Sequence, residues 1–166
     1  RLRSMAADRR TREAAVSMPP ACPQAIAAEL LEAGFARTLK PFQLTNLCRV
    51  ATLPHGADFS VPGAGKTTVA LANFALQRSR GHVQRMLVVA PLAAFAAWKE
   101  DAEACFADSP RVAVHLGGNR PLASTADILL SNYHRLASDY DRLRLWVSRS
   151  PTQVVLDEAY RVKRGR

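Results

Sequence analysis

The sequence predicts an α/β domain built on a mainly parallel sheet. Short continuous runs of Val, Leu and Ile alternate with helical patterns of about a dozen residues, which is how strands buried on both faces by crossover helices read. A glycine-rich stretch, residues 60–67, lies between an apolar run and a helical pattern, where a phosphate-binding loop belongs. The 166 residues fit one domain of ordinary size, able to bury roughly two-thirds of its unfolded surface.

Residues 1–23 are rich in Arg and Ala and close on Met18-Pro19-Pro20 and Pro23; a basic, disordered arm is expected there. Residues 24–56 are expected to be a helical segment. Its first helix covers 24–36, with Ile26, Leu30 and Leu31 on one face and Gly34 near its end. A second follows Pro41, with Phe42, Leu44, Leu47, Val50 and Leu53 at helical spacing, and stops at Pro54-His55-Gly56. From residue 57 strands and helices alternate: a strand at 57–61 feeding the glycine loop, a helix at 67–80, and a buried strand at 86–90. A helix at 93–106, a strand at 112–116, a strand at 128–131, a helix at 133–147 and a strand at 154–156 complete the pattern.

Composition excludes several classes. Hydrophobic residues make up 48% and charged residues 22%, as in globular proteins. The longest apolar stretch, 87–98, is interrupted by Pro91 and falls short of the ~20 residues of a membrane span, so no membrane partner is expected. No charged start followed by an apolar signal core precedes the domain. Cys22, Cys48 and Cys105 form no CxxC pair and read as reduced thiols of a cytoplasmic protein. The net charge of +9 resides mostly in residues 1–12 and 161–166, so it is a slender argument for a polyanion.

The glycine loop is Ser60-Val61-Pro62-Gly63-Ala64-Gly65-Lys66-Thr67. Gly63 and Gly65 permit backbone angles that turn several N–H groups towards one anion, and the following helix adds its positive amino end. Lys66 supplies a point charge for β- and γ-phosphates, and the Thr67 hydroxyl a ligand for Mg²⁺. Pro62, Gly63, Ala64, Gly65, Lys66, Thr67 and Thr68 are therefore the candidate ATP-binding residues, with Ser60 standing where the general motif has its first glycine. Downstream, Val154-Val155-Leu156 delivers Asp157-Glu158-Ala159-Tyr160 at a strand's carboxyl end, where ligands gather in parallel sheets. Asp157 is the candidate for holding the Mg²⁺ shell, and Glu158 for orienting and deprotonating an attacking water. Lys66, Asp157 and Glu158 are thus the candidate catalytic set.

These residues resemble the first RecA-like lobe of superfamily 2 DEAD/DEAH-type helicases, in the Swi/Snf-like branch of duplex-DNA translocases. Leu39-Lys40-Pro41-Phe42-Gln43 resembles the segment preceding motif I, residues 60–67 motif I, and Met86 to Leu92 followed by Trp98 motif Ia. Asp127 to Tyr133 resembles motif Ib, and Val155 to Lys163 motif II. The resemblance implies a three-layer P-loop fold as a single lobe, over 57–166, that uses ATP and Mg²⁺ and belongs to an ATP hydrolase moving on duplex DNA. It implies that Gln43 contacts adenine, and that Pro91, Leu92, Asn132 and Tyr133 contact a sugar-phosphate backbone, which carries little base specificity. Alternatives stand beside these roles: Gln43 as a surface helix residue, Pro91 as a strand terminator, Tyr133 as core. Tyr160 stands where the family has histidine, and tyrosine does not titrate near neutrality. The chain stops six residues after Tyr160, so the lobe is expected to be truncated there, with the second RecA-like lobe and its arginine finger missing and turnover slow. An RNA or restriction-type helicase lobe, or a non-catalytic P-loop binding module, remain the competing readings. Trp98 and Trp146 read as packing anchors, and the four histidines as structural or surface residues.

Overall fold

A computed structural model describes residues 22–58, 60, 61, 63–119 and 121–159. Residues 1–21 of the arm expected over 1–23, together with Pro62 and Tyr160, lie outside the described residues, and Pro23 already opens the first helix.

Four strands form one parallel sheet: β1 Arg85–Val89, β2 Val112–His115, β3 Ile128–Ser131 and β4 Thr152–Leu156, in the order β2-β3-β1-β4. β1 and β3 are inner strands and every residue in them is buried, which is why, apart from Arg85 and Ser131 at their ends, they read as apolar runs. Val89 pairs with Ser131 on one side and Leu156 on the other, so three carboxyl ends finish level and make one edge. The helices are α1 Pro23–Glu32, α2 Pro41–Val50, α3 Lys66–Ser79, α4 Phe95–Cys105, α5 Tyr133–Ser138 and α6 Tyr140–Ser148, with a 3₁₀ turn Leu92–Ala94 before α4. Strand alternation sends Met86, Val88, Ile128 and Leu130 to one face, against Leu47, Leu71, Phe74 and Trp98 of α2–α4. Leu87, Val89 and Leu129 face the other way, against Leu143 and Trp146 of α6. The result is the three-layer α/β architecture expected, with one core on each side of the sheet.

Two expected elements differ. Residues 57–61 form no strand among those described. Asp58 Oδ1 accepts the Ser60 N–H at 2.8 Å and the Ser60 hydroxyl, and Lys66 Nζ takes the carbonyls of Ser60 and Val61; these bonds compete with any ladder. The single helix expected over 133–147 is two, broken at Asp139, whose φ of −116° and ψ of 26° leave the helical region. The Asp139 carboxylate is held by buried His115 at 2.7 Å, a partner 24 residues away that no local pattern announces. Cys48 and Cys105 are buried; burial raises both thiols, Cys105 to about 11, so neither is a thiolate at neutral pH.

An ion cluster sets the direction of α3. Arg78 near its carboxyl end meets Asp127 at 3.0 Å, just before β3, while Gln153 Nε2 of β4 reaches Ala70 O at 3.1 Å. α3 therefore has its carboxyl end at the amino ends of the strands. Asp127 is 8% exposed and accepts from the Arg111 backbone and guanidinium, each at 2.9 Å. Burial pushes its carboxyl up, but the Arg111 bonds and the charges of Arg78 and Arg111 outweigh it and hold the group below the usual carboxylate range. A carboxyl depressed in the fold contributes stability above its unfolded pKa of about 3.9 and loses it as pH falls through the folded value. Asp127→Asn is expected to lower stability near neutrality by about 1–3 kcal/mol. The difference should shrink on acidification below about pH 4; equal melting of the two proteins at neutral pH would remove the cluster from the stability account.

Candidate functional site

The glycine loop closes onto the amino end of α3. Gly63 and Gly65 have φ of +80° and +78°, left-handed values that glycine adopts without strain. Gly65 is the residue before the helix, no side chain caps the helix start, and its first turn holds no acid. The early N–H groups of α3 and the adjacent Lys66 ammonium thus form a positive, donor-rich concavity, which fits a phosphate. Lys66 Nζ donates to Ser60 O at 2.5 Å and to Val61 O at 3.1 Å, so the loop's own carbonyls hold the ammonium over the cradle. Thr68 is buried and its hydroxyl takes a bond from Arg37 Nη1 at 3.0 Å, while the same nitrogen meets Asp101 at 2.6 Å. What Thr68 presents to the cradle is its place in the first helical turn, not its side chain.

Gln43 is 7% exposed, which removes the surface-residue alternative. Its Oε1 accepts from Lys40 N at 2.9 Å and its Nε2 donates to Ala64 O at 3.0 Å, so both ends of the amide are engaged and one of them grips the glycine loop. A second hollow beside it, lined by Asn46, Arg49, Val50, Ala57, Asp58 and Ser60, opens next to the loop's first residue.

The acid pair sits at the end of β4. Asp157 N donates to Val89 O at 2.9 Å, extending the β1–β4 ladder by one bond and placing the pair at the carboxyl edge. Glu158 has φ of +52°, the left-handed value of a non-glycine residue among those described, a conformation that costs about 1–2 kcal/mol. Trp98 Nε1 donates to Asp157 Oδ2 at 3.0 Å, and Tyr133 Oη to Asp157 O at 2.6 Å. Trp98 and Trp146 are each 2% exposed, as packing anchors should be. The bond from Trp98 to the acid pair went unread in the sequence, although a buried indole N–H needs an acceptor.

Pro91, Leu92, Asn132 and Tyr133 line one open groove of about 610 Å³ at this edge, with Leu116, His134 and Arg135. Pro91 follows β1, and Asn132 caps α5 by accepting Arg135 N at 2.9 Å. Tyr133 both lines the groove and packs on the second core. Its phenol is raised by burial first and then by Asp157 and Glu158, which keeps it a proton donor. Gly117 and Gly118 have φ of +99° and +90°; the Arg135 guanidinium fills the space a Gly117 side chain would need, and Arg142 Nη1 donates to Gly118 O at 2.6 Å. No local signal marked Arg37, Leu116 or Arg135 for these positions.

The sheet order, the two helical layers and the loop-to-helix junction make this a RecA-like α/β lobe. The SWI2/SNF2 ATPase core of Sulfolobus solfataricus has the same fold: its structure with double-stranded DNA matches at a TM-score of 0.57 and 20% identity over 75% of this chain. A structure of the Sulfolobus solfataricus SWI2/SNF2 ATPase core domain matches at a TM-score of 0.58 and 22% identity, also over 75% of this chain. The chain spans about a third of either structure, 32% of each. No protein-family profile matches the chain, and no curated protein sequence does. No helix among the described residues is long and apolar enough to cross a membrane.

Proposed function

We propose that this chain is the ATP-binding lobe of a DNA-dependent ATPase whose intact form moves along duplex DNA. The reading is supported by an uncapped helix start at Lys66, opened by the glycine loop, in a fold whose β4 delivers Asp157 and Glu158 at the sheet's carboxyl edge. Residues 63–68 bind the phosphates through backbone N–H groups, and Lys66 leaves the carbonyls of Ser60 and Val61 to meet their charge. Thr67 and one oxygen of Asp157 would hold Mg²⁺, which when bound neutralises charge on the transferred phosphate. Glu158 orients the attacking water and accepts its proton. The groove of Pro91, Leu92, Asn132 and Tyr133 receives a sugar-phosphate backbone, supported by Arg135 and by the fold it shares with a protein solved on double-stranded DNA.

The test is ATP turnover by the intact protein with and without a blunt DNA duplex, beside Mg-ATP binding by this chain. Binding together with turnover raised by DNA is the expected result, and Glu158→Gln should keep the binding and lose the hydrolysis. Equal rates with and without DNA, or greater stimulation by RNA, would sink the DNA-dependent reading.

A further inference from the structure

The start of α3 lacks the anchor that helix starts ordinarily have. No side chain caps it and a glycine precedes it, so by itself its first turn would fray. The hold comes from outside the helix. Gln43 grips Ala64 O just before the cap, and Arg37 Nη1 donates to the Thr68 hydroxyl at 3.0 Å within the first turn. We propose that Arg37 is a positioning residue of the phosphate cradle, fixing through Thr68 the direction in which the first N–H groups of α3 point. This rests on reading the glycine loop as an ATP site.

Apolar packing does not set the place of Arg37. It belongs to neither core cluster and its side chain is 33% exposed. Two polar contacts define it instead. The Nη1 that reaches Thr68 also meets Asp101 Oδ1 at 2.6 Å, and Asp101 stands on α4. The backbone beside Arg37 is fastened to the end of that helix as well, since Ala36 N donates to Cys105 O at 2.7 Å and Phe35 bridges to Phe106. Arg37 is thus a bracket from α4 to the first turn of α3. Thr68 receives it at a position that helical burial would give to an apolar residue: it is 5% exposed, and Val69, Leu71 and Ala72 follow it into the core. A buried hydroxyl is tolerated when it is hydrogen-bonded, so the threonine and the arginine account for each other. The consequence falls on the backbone. Val69 N–H returns to Gly65 O at 3.1 Å, which leaves the Thr68 N–H, one residue earlier, among the donors open to a bound phosphate. Threonine is β-branched and stiff at χ1, so a bond that holds its hydroxyl also holds the turn that aims this N–H.

The measurement is Mg-ATP affinity of the 166-residue chain, by calorimetry, beside a thermal melt. Thr68→Val keeps the shape of the side chain and the Arg37–Asp101 pair, and removes only the acceptor. It is expected to lose about 3–10-fold in affinity, the equivalent of one misdirected hydrogen bond to phosphate. Its melting temperature should stay within about 3 °C of wild type. Arg37→Met, which keeps the stem without the guanidinium, should lose the same factor. Combining the two substitutions should lose no more than either alone, because both cut one bond. Thr68→Ser, which keeps the hydroxyl, should bind within about twofold of wild type. Arg37→Met with wild-type affinity overturns the proposal however Thr68→Val folds. A double variant whose loss is the product of the single losses overturns it too, as does Thr68→Ser binding as poorly as Thr68→Val. In each of these cases wild type still binds Mg-ATP and the nucleotide site stands, whereas wild type that binds no Mg-ATP removes the nucleotide reading itself.

Discussion

Lys66→Ala is expected to weaken Mg-ATP binding by about 10–100-fold, the equivalent of one or two charge-assisted hydrogen bonds to phosphate. The melting temperature should move by no more than about 4 °C. The two effects separate because the ammonium touches no core residue: its partners are the carbonyls of Ser60 and Val61 in the loop itself. Removing it frees those carbonyls at a partly exposed site, where water replaces the lysine cheaply. Those bonds also sharpen the expectation. Part of the lysine's attraction for phosphate is spent on leaving the two carbonyls, so the loss on truncation falls below what an unengaged ammonium would show. Isothermal titration of both proteins with Mg-ATP, beside a thermal melt, is the check; unchanged affinity would take Lys66 out of the site.

The inner strands were readable because their physics is local: a strand buried on both faces is mostly apolar, and Met86, Leu87, Val88 and Val89 are. The loop-to-helix junction was readable for a similar reason, since two glycines before Lys66 and Thr67 state a backbone conformation directly. What escaped depends on partners distant in sequence. The break at Asp139 follows from His115, and the tether on Asp157 from Trp98, 59 residues earlier. Gln43 shows the same limit in a motif already recognised: its type and position were legible, yet its grip on Ala64 exists only once α2 and the loop are packed together. The strand expected at 57–61 failed on a local bond instead. Apolar character suggested a ladder, but Asp58 and Ser60 are residues whose side chains bond to nearby backbone, and that preference decided the segment.

Gly65→Ala is expected to abolish Mg-ATP binding and to cost about 2–4 kcal/mol, from left-handed strain and lost hydrogen bonds together. At φ +78° any side chain pays the left-handed penalty of about 1–2 kcal/mol. At this position the new Cβ would also collide with Gln43 Nε2. Gln43 cannot step aside freely, because it is 7% exposed and bonded at both ends, to Lys40 N and Ala64 O. The loop must then move off the glutamine, and with it the N–H groups that form the cradle. Gly63→Ala provides the comparison: its φ is +80°, yet a Cβ there meets nothing within 4 Å, so only the strain of about 1–2 kcal/mol applies. Binding and melting of Gly63→Ala, Gly65→Ala and the double variant Gly65→Ala with Gln43→Ala separate the contributions. If the glutamine is the obstacle, shortening it restores part of the stability lost in Gly65→Ala; if the double variant is no more stable than the single one, the second glycine answers to backbone conformation alone. Recovery would show that Gly65 is required by the amide packed against it as well as by any phosphate, which makes α2 a structural wall of the loop.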